Sequence, residues 1–422
     1  MEGREEVVEG WVNAVKKVGG IVFLEVVTDM DLKPVTVVFK RSSREELWRE
    51  ARRVKLGSAV RIAGKVPEVV VSKRGREVHA ERLEVLSEPL TPLPVDPTGR
   101  TGTLLDTRIN YRYLLLRSPE QRAVFKIRAL VLRAAREYLE ERGFLEVHTP
   151  KICGAGAEGG ATVFELDYFG TRAFLAQSPQ LYKQMLMAGV PRVYEIAPYF
   201  RAEKFSTTRH LNECWAIDAE MAFIRGMEDV LEVLEGLVLR VVDAVARECE
   251  EELEVLGVEL RRPRSPFYRL RYSEALELLE ERGIELEWGE DFGSEEERVL
   301  GEIMAERGYD AYFIVEYPWE AKPFYIMRRE NGLSESFDLD YRGLELASGG
   351  QREHRYSALV ENMELKGLDP RDFEFYLEAF RYGMPPHGGF GLGVERLVMQ
   401  LLRLGNIREV ALFPRDRFRL YP

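Results

Sequence analysis

The chain has 422 residues, 45% hydrophobic and 31% charged, with a formal net charge of -12. That length supports two or three domains with a sizeable core. No apolar run of about 18 residues is present, which argues against a transmembrane helix.

Taken from the N-terminus, the opening "MEGREEVVEG" is acidic and lacks an apolar stretch, unlike a secretory signal. Residues 1–90 hold 17 Lys/Arg against 15 Asp/Glu, so the excess acid lies downstream and this module can meet nucleic acid through local patches. Short β-rich runs follow one another: "EEVVEGWVNAV", "GIVFLEVV", "PVTVVFK", "AVRIAGKV" and "EVHAERLEVL". A helix, "REELWREARRV", interrupts them after the third, and Ser43 with Glu46 reads as its capping box. Five strands with a helix between the third and fourth is the layout of an OB barrel, here residues 1–88. OB barrels stack single-stranded bases on aromatics such as Phe23, although Phe23 taken alone is better read as a core position.

Residues 89–104 carry Pro89, Pro92, Pro94 and Pro97, which excludes helix and predicts an extended linker. Residues 105–422 form the second domain. Ser118-Pro119-Glu120-Gln121 predicts a capped helix start, with a stop at Gly143. Strands dominate 161–223 and 311–350, a final helix follows Gly393, and 226–310 is mostly helical. Helices around a mainly antiparallel sheet make an α+β domain. Cys153, Cys214 and Cys249, at long spacings, fit a reducing cytoplasm and form no metal-binding pattern.

Four stretches carry chemistry. "RVYEIAPYFRAE" and "HLNECWAIDAEMAF" are predicted as two strands of a hairpin, joined by "KFSTT". Arg201 and Glu203 would share a face of one strand, and Cys214, Asp218 and Glu220 a face of the return strand, giving a sheet face that bears Arg, Glu, Asp and Glu. Such a face cannot be dry core. Cations at the loop end with acids deeper along the strands suit a polyphosphate beside a zwitterion; exposed ion pairs are the plain alternative. In "SFDLDYRGLELASGGQR" a turn at Tyr341-Arg342 would set Asp338 opposite Glu345. Two facing carboxylates call for a hard cation, Mg²⁺, shared with phosphates. Arg352, past Gly349-Gly350, suits bidentate grip of a carboxylate. "GGFGLGVERLVMQLL" lacks the βαβ context and spacing of a dinucleotide fingerprint, and Arg396 in its first helical turn can meet a base or phosphate. "GAGAEGGA" is a lid-like loop with one acid, Glu158, and "FLAQSPQLYKQ" offers Ser178, Gln180 and Lys183.

Together these residues identify a family. "GFLEVHTP", "FRAE…TTRH" and "GLGVER" resemble motifs 1, 2 and 3 of class II aminoacyl-tRNA synthetases, in order and over essentially the whole chain. The N-terminal OB domain is similar to subclass IIb, and "AQSPQLYKQ" with "LASGGQR" resembles the compact archaeal aspartyl-tRNA synthetases. Asparaginyl enzymes keep an arginine matching Arg352 but no lysine matching Lys183.

The resemblance implies an aspartate–tRNA ligase with ATP and L-aspartate as substrates and Mg²⁺ as cofactor. Arg201 would hold the α-phosphate and Glu203 the adenine amino group. Arg209, His210 and Arg396 would bind the outer phosphates, and Asp338, Glu345 and Ser348 would organise Mg²⁺. Lys183 and Arg352 would take the aspartate side chain. Glu158, Ser178, Gln180 and Asp218 would surround its α-amino end. Pro150 would lie at a homodimer interface, and Phe23 and Thr36 would meet the anticodon. Two positions depart from the family pattern: Cys214 stands where many relatives stack a phenylalanine on adenine, and Thr36 where many place a glutamine. Two acceptor ranges therefore stay open, tRNA(Asp) alone or tRNA(Asp) with tRNA(Asn). The alternative activity is a tRNA-independent asparagine synthetase on the same fold.

Overall fold

The computed structural model describes residues 4–67, 75–154 and 163–422. The chain divides into two compact units, 1–127 with 249–258 and 128–248 with 259–422.

The first unit contains β1 (Glu5–Val18), β2 (Ile21–Val27), β3 (Val35–Lys40), β4 (Ala59–Lys65) and β5 (Glu77–Ser87), closed in the order β1-β2-β3-β5-β4. Aliphatic residues at alternate positions point inward, so Val22, Leu24, Val26, Val60 and Ile62 share one core. The helix Glu45–Ala51 adds Leu47, Trp48 and Ala51 to it. Its start differs from the predicted capping box. Ser43 and Arg44 spend their amides on the Lys40 carbonyl in a turn, and the N-cap is Arg44 without a side-chain cap. On the barrel wall Phe23 pairs with Val38 and the neighbouring Glu25 with Thr36, so Phe23 and Thr36 share the outer face. Downstream, Asn13 donates to the carbonyls of Pro97 and Arg117, and Arg122 to those of Thr28, Asp29 and Asp31. These bonds fasten 97–122 to the barrel.

The second unit is built on an eight-stranded sheet. Its members are β6 (Leu145–Glu146), β10 (Arg192–Phe200), β11 (Glu213–Ala222), β12 (Tyr268–Arg271), β13 (Ala311–Val315), β14 (Ser336–Tyr341), β15 (Glu345–Gln351) and β16 (His387–Gly393). The order β12-β13-β14-β15-β16-β11-β10-β6 is antiparallel except at its two edge pairs. A small sheet of β7 (Ile152–Cys153), β8 (Glu165–Tyr168) and β9 (Thr171–Leu175) stands apart. The helix Pro119–Glu141 opens with the Ser118 hydroxyl accepting from Gln121 N at 3.3 Å and is followed by Gly143 at φ +76°, as its sequence signals predict. The helix Met227–Glu248 buries Val230, Leu234, Leu237, Val241 and Val245 at helical spacing. Within 259–310 the helices Tyr272–Glu280 and Ser294–Glu306 and the edge strand β12 belong to the same unit. Among the described residues no helix is long and apolar enough to cross a membrane.

Candidate active site

A cavity of about 290 Å³ opens on the sheet face of the second unit, between β10–β11, β15–β16 and the helix Val394–Leu401. Arg201, Glu203, Arg209, His210, Ser178, Gln180, Asp218, Glu345, Ser348, Arg352 and Arg396 all line it. Residues scattered over two hundred positions are thus brought to one wall.

At the open end, β10 stops at Phe200, so Arg201 and Glu203 stand beyond the strand rather than sharing its face as predicted. Asn212 closes this loop: its amide group donates to the Arg201 and Glu203 carbonyls, and Arg201 N returns a bond to the Asn212 carbonyl. Glu203 is half-buried, and its Oε2 has no hydrogen-bond partner. Burial raises its pKa against the opposing pull of Arg201 and Arg396. An orphaned acceptor of this kind suits an amino-group donor. His210 sits between Thr207 Oγ1 at 2.7 Å and Arg396 at 3.3 Å. Burial, then the Arg396, Arg209 and Arg201 charges, push its pKa down to about 4. The imidazole is therefore neutral at pH 7 and contributes hydrogen bonding, not a further charge. Arg209 is held by Glu297 at 2.7 Å, and Arg396 by the Glu345 carbonyl at 2.8 Å. The Cys214 thiol, pushed up to about 11 by burial, is an inert wall atom.

The acidic hairpin differs from its predicted register. Arg342 (φ 51°) and Gly343 (φ 74°) both adopt left-handed conformations, and Tyr341 N bonds the Leu344 carbonyl at 2.9 Å. This is a type I′ turn one residue later than predicted. A bulge follows between Leu339 and Asp340, so Glu345 lies opposite Asp340 and Asp338 opposite Ser348. Asp338 does not line the cavity; it is ion-paired to Lys322 at 2.7 Å. The cation does line the cavity. Asp340 is buried with Oδ1 unpartnered, and burial together with Glu297, Glu345 and Asp338 holds its pKa well above the carboxylate range. Glu297 is raised likewise, by burial and by Glu345. Glu345 and Ser348 fit a Mg²⁺ ion completed by phosphate oxygens, because a dication relieves this acid crowding. Asp338 fits only after parting from Lys322. Among the described residues no group of three His, Cys, Asp or Glu forms a protein-only cation cage.

The deep end is closed. Lys183, on the helix Gln180–Leu186, lies behind the cavity wall instead of lining it, with its ammonium 3.0 Å from Asp218 Oδ1 and 3.3 Å from Glu220 Oε2. Arg352 Nε donates to Glu220 Oε1 at 2.9 Å, while its Nη2 reaches Gln180 Oε1 at 3.3 Å and the Gly389 carbonyl at 2.9 Å. Lys183 and Arg352 therefore converge, but on Glu220, a fully buried carboxylate that the prediction left without a role. Burial pushes the Glu220 carboxyl up; Arg352 and Lys183 outweigh it and hold it below the usual range. The alternation that puts Glu220 on the face of Asp218 was the available signal. Two glycines make room for these acids. A Cβ at Gly389 would stand 2.1 Å from the Ala219 carbonyl and 2.2 Å from Glu220 Oε2, and one at Gly391 would stand 3.1 Å from Asp218 Oδ1. Ser178 Oγ accepts from Gln180 N at 3.1 Å at the helix entry. Glu158 lies outside the described residues. Pro150 is exposed in the single chain.

A mainly antiparallel sheet thus carries an arginine-lined mouth above a buried ionic floor. Residues 105–417 match the family described as tRNA synthetases class II (D, K and N), and the chain belongs to that family. It is 51% identical to the aspartate–tRNA(Asp) ligase of Pyrococcus abyssi, over all of this chain and 97% of that one. It is equally 51% identical to the aspartate–tRNA(Asp/Asn) ligase of Methanopyrus kandleri, again over 100% and 97%. Among solved structures, the asparaginyl-tRNA synthetase of Pyrococcus horikoshii complexed with asparaginyl-adenylate superposes with a TM-score of 0.91 at 36% identity, covering 100% of this chain and 97% of that one.

Proposed function

We propose that the chain is an aspartate–tRNA ligase, which activates L-aspartate with ATP and passes it to the 3′ end of tRNA. The observation that carries this is the sealed floor, where Arg352 faces the cavity and Lys183 backs it across Glu220 and Asp218. A substrate carboxylate reaching Arg352 completes an alternation of charge. A neutral amide would forgo that charge-assisted contact with Arg352, which is how a buried guanidinium tells a carboxylate from its near-isostere.

The chemistry needs no protein nucleophile. The aspartate α-carboxylate oxygen attacks the α-phosphorus, a C–O–P anhydride forms, and the bond to pyrophosphate breaks. Arg201 meets charge on the α-phosphate, while Arg209, Arg396 and neutral His210 grip the outer phosphates. Glu203 Oε2 accepts from the adenine amino group, and Ser178, Gln180 and Asp218 receive the α-ammonium. Glu345 and Ser348 would hold a Mg²⁺ ion, which would supply charge neutralisation when bound. The terminal 3′-OH of tRNA then attacks the acyl carbonyl and AMP departs. Fixed guanidinium groups and positioning provide the acceleration. The functional unit is a homodimer joined near Pro150, and the barrel reads the anticodon through Phe23.

Exchange of labelled pyrophosphate into ATP, dependent on aspartate and silent with asparagine, tests the activation step; exchange with asparagine overturns it. A second reading concerns the acceptor. Thr36, 8% exposed beside Phe23, is a short hydroxyl that cannot reach into a base edge as a long amide does. This favours charging of tRNA(Asn) as well as tRNA(Asp), and an absence of aspartyl-tRNA(Asn) in a charging assay ends that reading. The tRNA-independent asparagine synthetase finds no support, since relatives named as tRNA ligases match the chain end to end, barrel included.

A further inference from the structure

Two carboxylates that the adenylation scheme does not require to meet stand face to face in the sheet. Glu195 on β10 and Asp218 on β11 are direct cross-strand partners, 2% and 5% exposed. Like charges in that position repel, and at this depth the repulsion is poorly screened. Something must keep the pair in order.

Glu195 takes three short hydrogen bonds from two residues. Thr149 N and Thr149 Oγ1 each reach it at 2.8 Å, and Lys151 Nζ at 2.9 Å. The same ammonium stands 4.9 Å over the Tyr199 ring. Tyr199 lies between the acids and forms part of the cavity wall. Its hydroxyl is 3.4 Å from Glu195 Oε2, a long contact, and is also hydrogen-bonded to Asp218. Burial, then the charges of Asp218 and Glu195, push the phenol far above its ordinary pKa, so it keeps its one proton at every physiological pH. The donation to Glu195 is the long one, and three shorter bonds already serve that carboxylate, so the phenol proton is available to Asp218. Lys183 approaches Asp218 from the other side at 3.0 Å. The result is an ordered run, Lys151–Glu195–Tyr199–Asp218–Lys183–Glu220–Arg352, in which three cations alternate with three acids and one hydroxyl bridges the only acid–acid step.

We propose that Tyr199 is a positioning residue: its hydroxyl, spared by a Glu195 that Thr149 and Lys151 already serve, fixes the Asp218 carboxylate that receives the substrate's α-ammonium. The inference rests on the aspartate-activation reading above. It predicts an asymmetry, because Asp218 serves the amino acid and not the nucleotide.

The test is aspartate-dependent pyrophosphate exchange by the full chain, with the KM for each substrate measured separately. Tyr199→Phe keeps the ring and removes only the hydroxyl. The KM for aspartate is expected to rise about tenfold, the worth of one hydrogen bond to a charged group. The KM for ATP is expected to stay within about twofold. Lys151→Met, which leaves Glu195 less satisfied and competing for the phenol proton, should raise the aspartate KM about threefold with the same sparing of ATP. It carries the test should Tyr199→Phe fold poorly by thermal melting. An unchanged aspartate KM in both variants, or equal losses for aspartate and ATP, overturns the inference. A native chain that shows no exchange with aspartate rejects the underlying reading instead, so the two failures are distinguishable.

Discussion

The two ends of the cavity solve different problems with the same residue types. At the floor, Lys183, Asp218, Glu220 and Arg352 are between 0% and 5% exposed and satisfy one another before any ligand arrives. At the mouth, Arg201, Glu203, Arg209, His210, Glu345 and Arg396 are exposed or half-buried, and Glu203 keeps an unused acceptor. On the proposed function, the difference follows from what each end would bind. A triphosphate brings its own strong charge and its own cation, so the mouth needs only cations and room. A four-carbon acid must be told from its amide by a single group, which works only where water cannot substitute for a missing partner.

The sharpest way to break this contrast is Arg352→Leu. It strands a fully buried Glu220 with Lys183 as its remaining ionic partner, and should destabilise the fold by about 3–5 kcal/mol while abolishing aspartate-dependent exchange. Unchanged melting would show that the floor is wetter than its geometry indicates. Next in size is Arg396→Ala at the mouth, expected to lower kcat for exchange by about 10²–10³-fold with stability held within about 0.5 kcal/mol. A large drop in melting temperature there would erase the distinction between the ends. Glu203→Gln tests the orphaned acceptor. It should raise the KM for ATP about tenfold, as loss of a charge-assisted bond does, and narrow the preference over GTP; equal KM values for native and variant would reject the adenine contact.

The smallest effect is a pH dependence. His210 and His387 are both pushed down from 6.5 to about 4, chiefly by burial. Each resists protonation in the folded state, so the unfolded chain binds more protons between pH 6.5 and about 4, and stability falls as pH drops through that window. Urea unfolding across this range should show these imidazoles contributing up to two protons taken up on unfolding. His387→Gln should remove about one of them, and an unaltered slope would contradict the buried, neutral state of His387.

Much of this molecule was legible in the sequence because period and turn chemistry are local. The barrel strands, the capped helix after Ser118 and the final helix after Gly393 all follow from such signals. The acidic hairpin was not, because its register depends on a left-handed Arg342 followed by Gly343 and on a bulge. A shift of one residue in the turn exchanges the partners of every acid, and Arg-Gly at a turn centre does not announce itself as Asn-Gly would. The site residues Lys183 and Arg352 were legible by type. Their engagement with Glu220 was not, since cross-strand and helix-to-sheet pairs join positions 37 to 132 residues apart. Lys322 escaped notice for the same reason: it holds Asp338 only once an irregular segment has been folded back against β14.

The bare stretch of β16 has a consequence for how such a pocket can change over generations. Gly389 and Gly391 act as a mould pressed against Glu220 and Asp218, leaving no space for even a methyl group at the first. Mutation of that strand evicts an acid before it can reshape the recess. Drift toward a different amino acid is therefore easier through the other side chains that line the recess, Gln180 among them, while the glycine strand stays fixed.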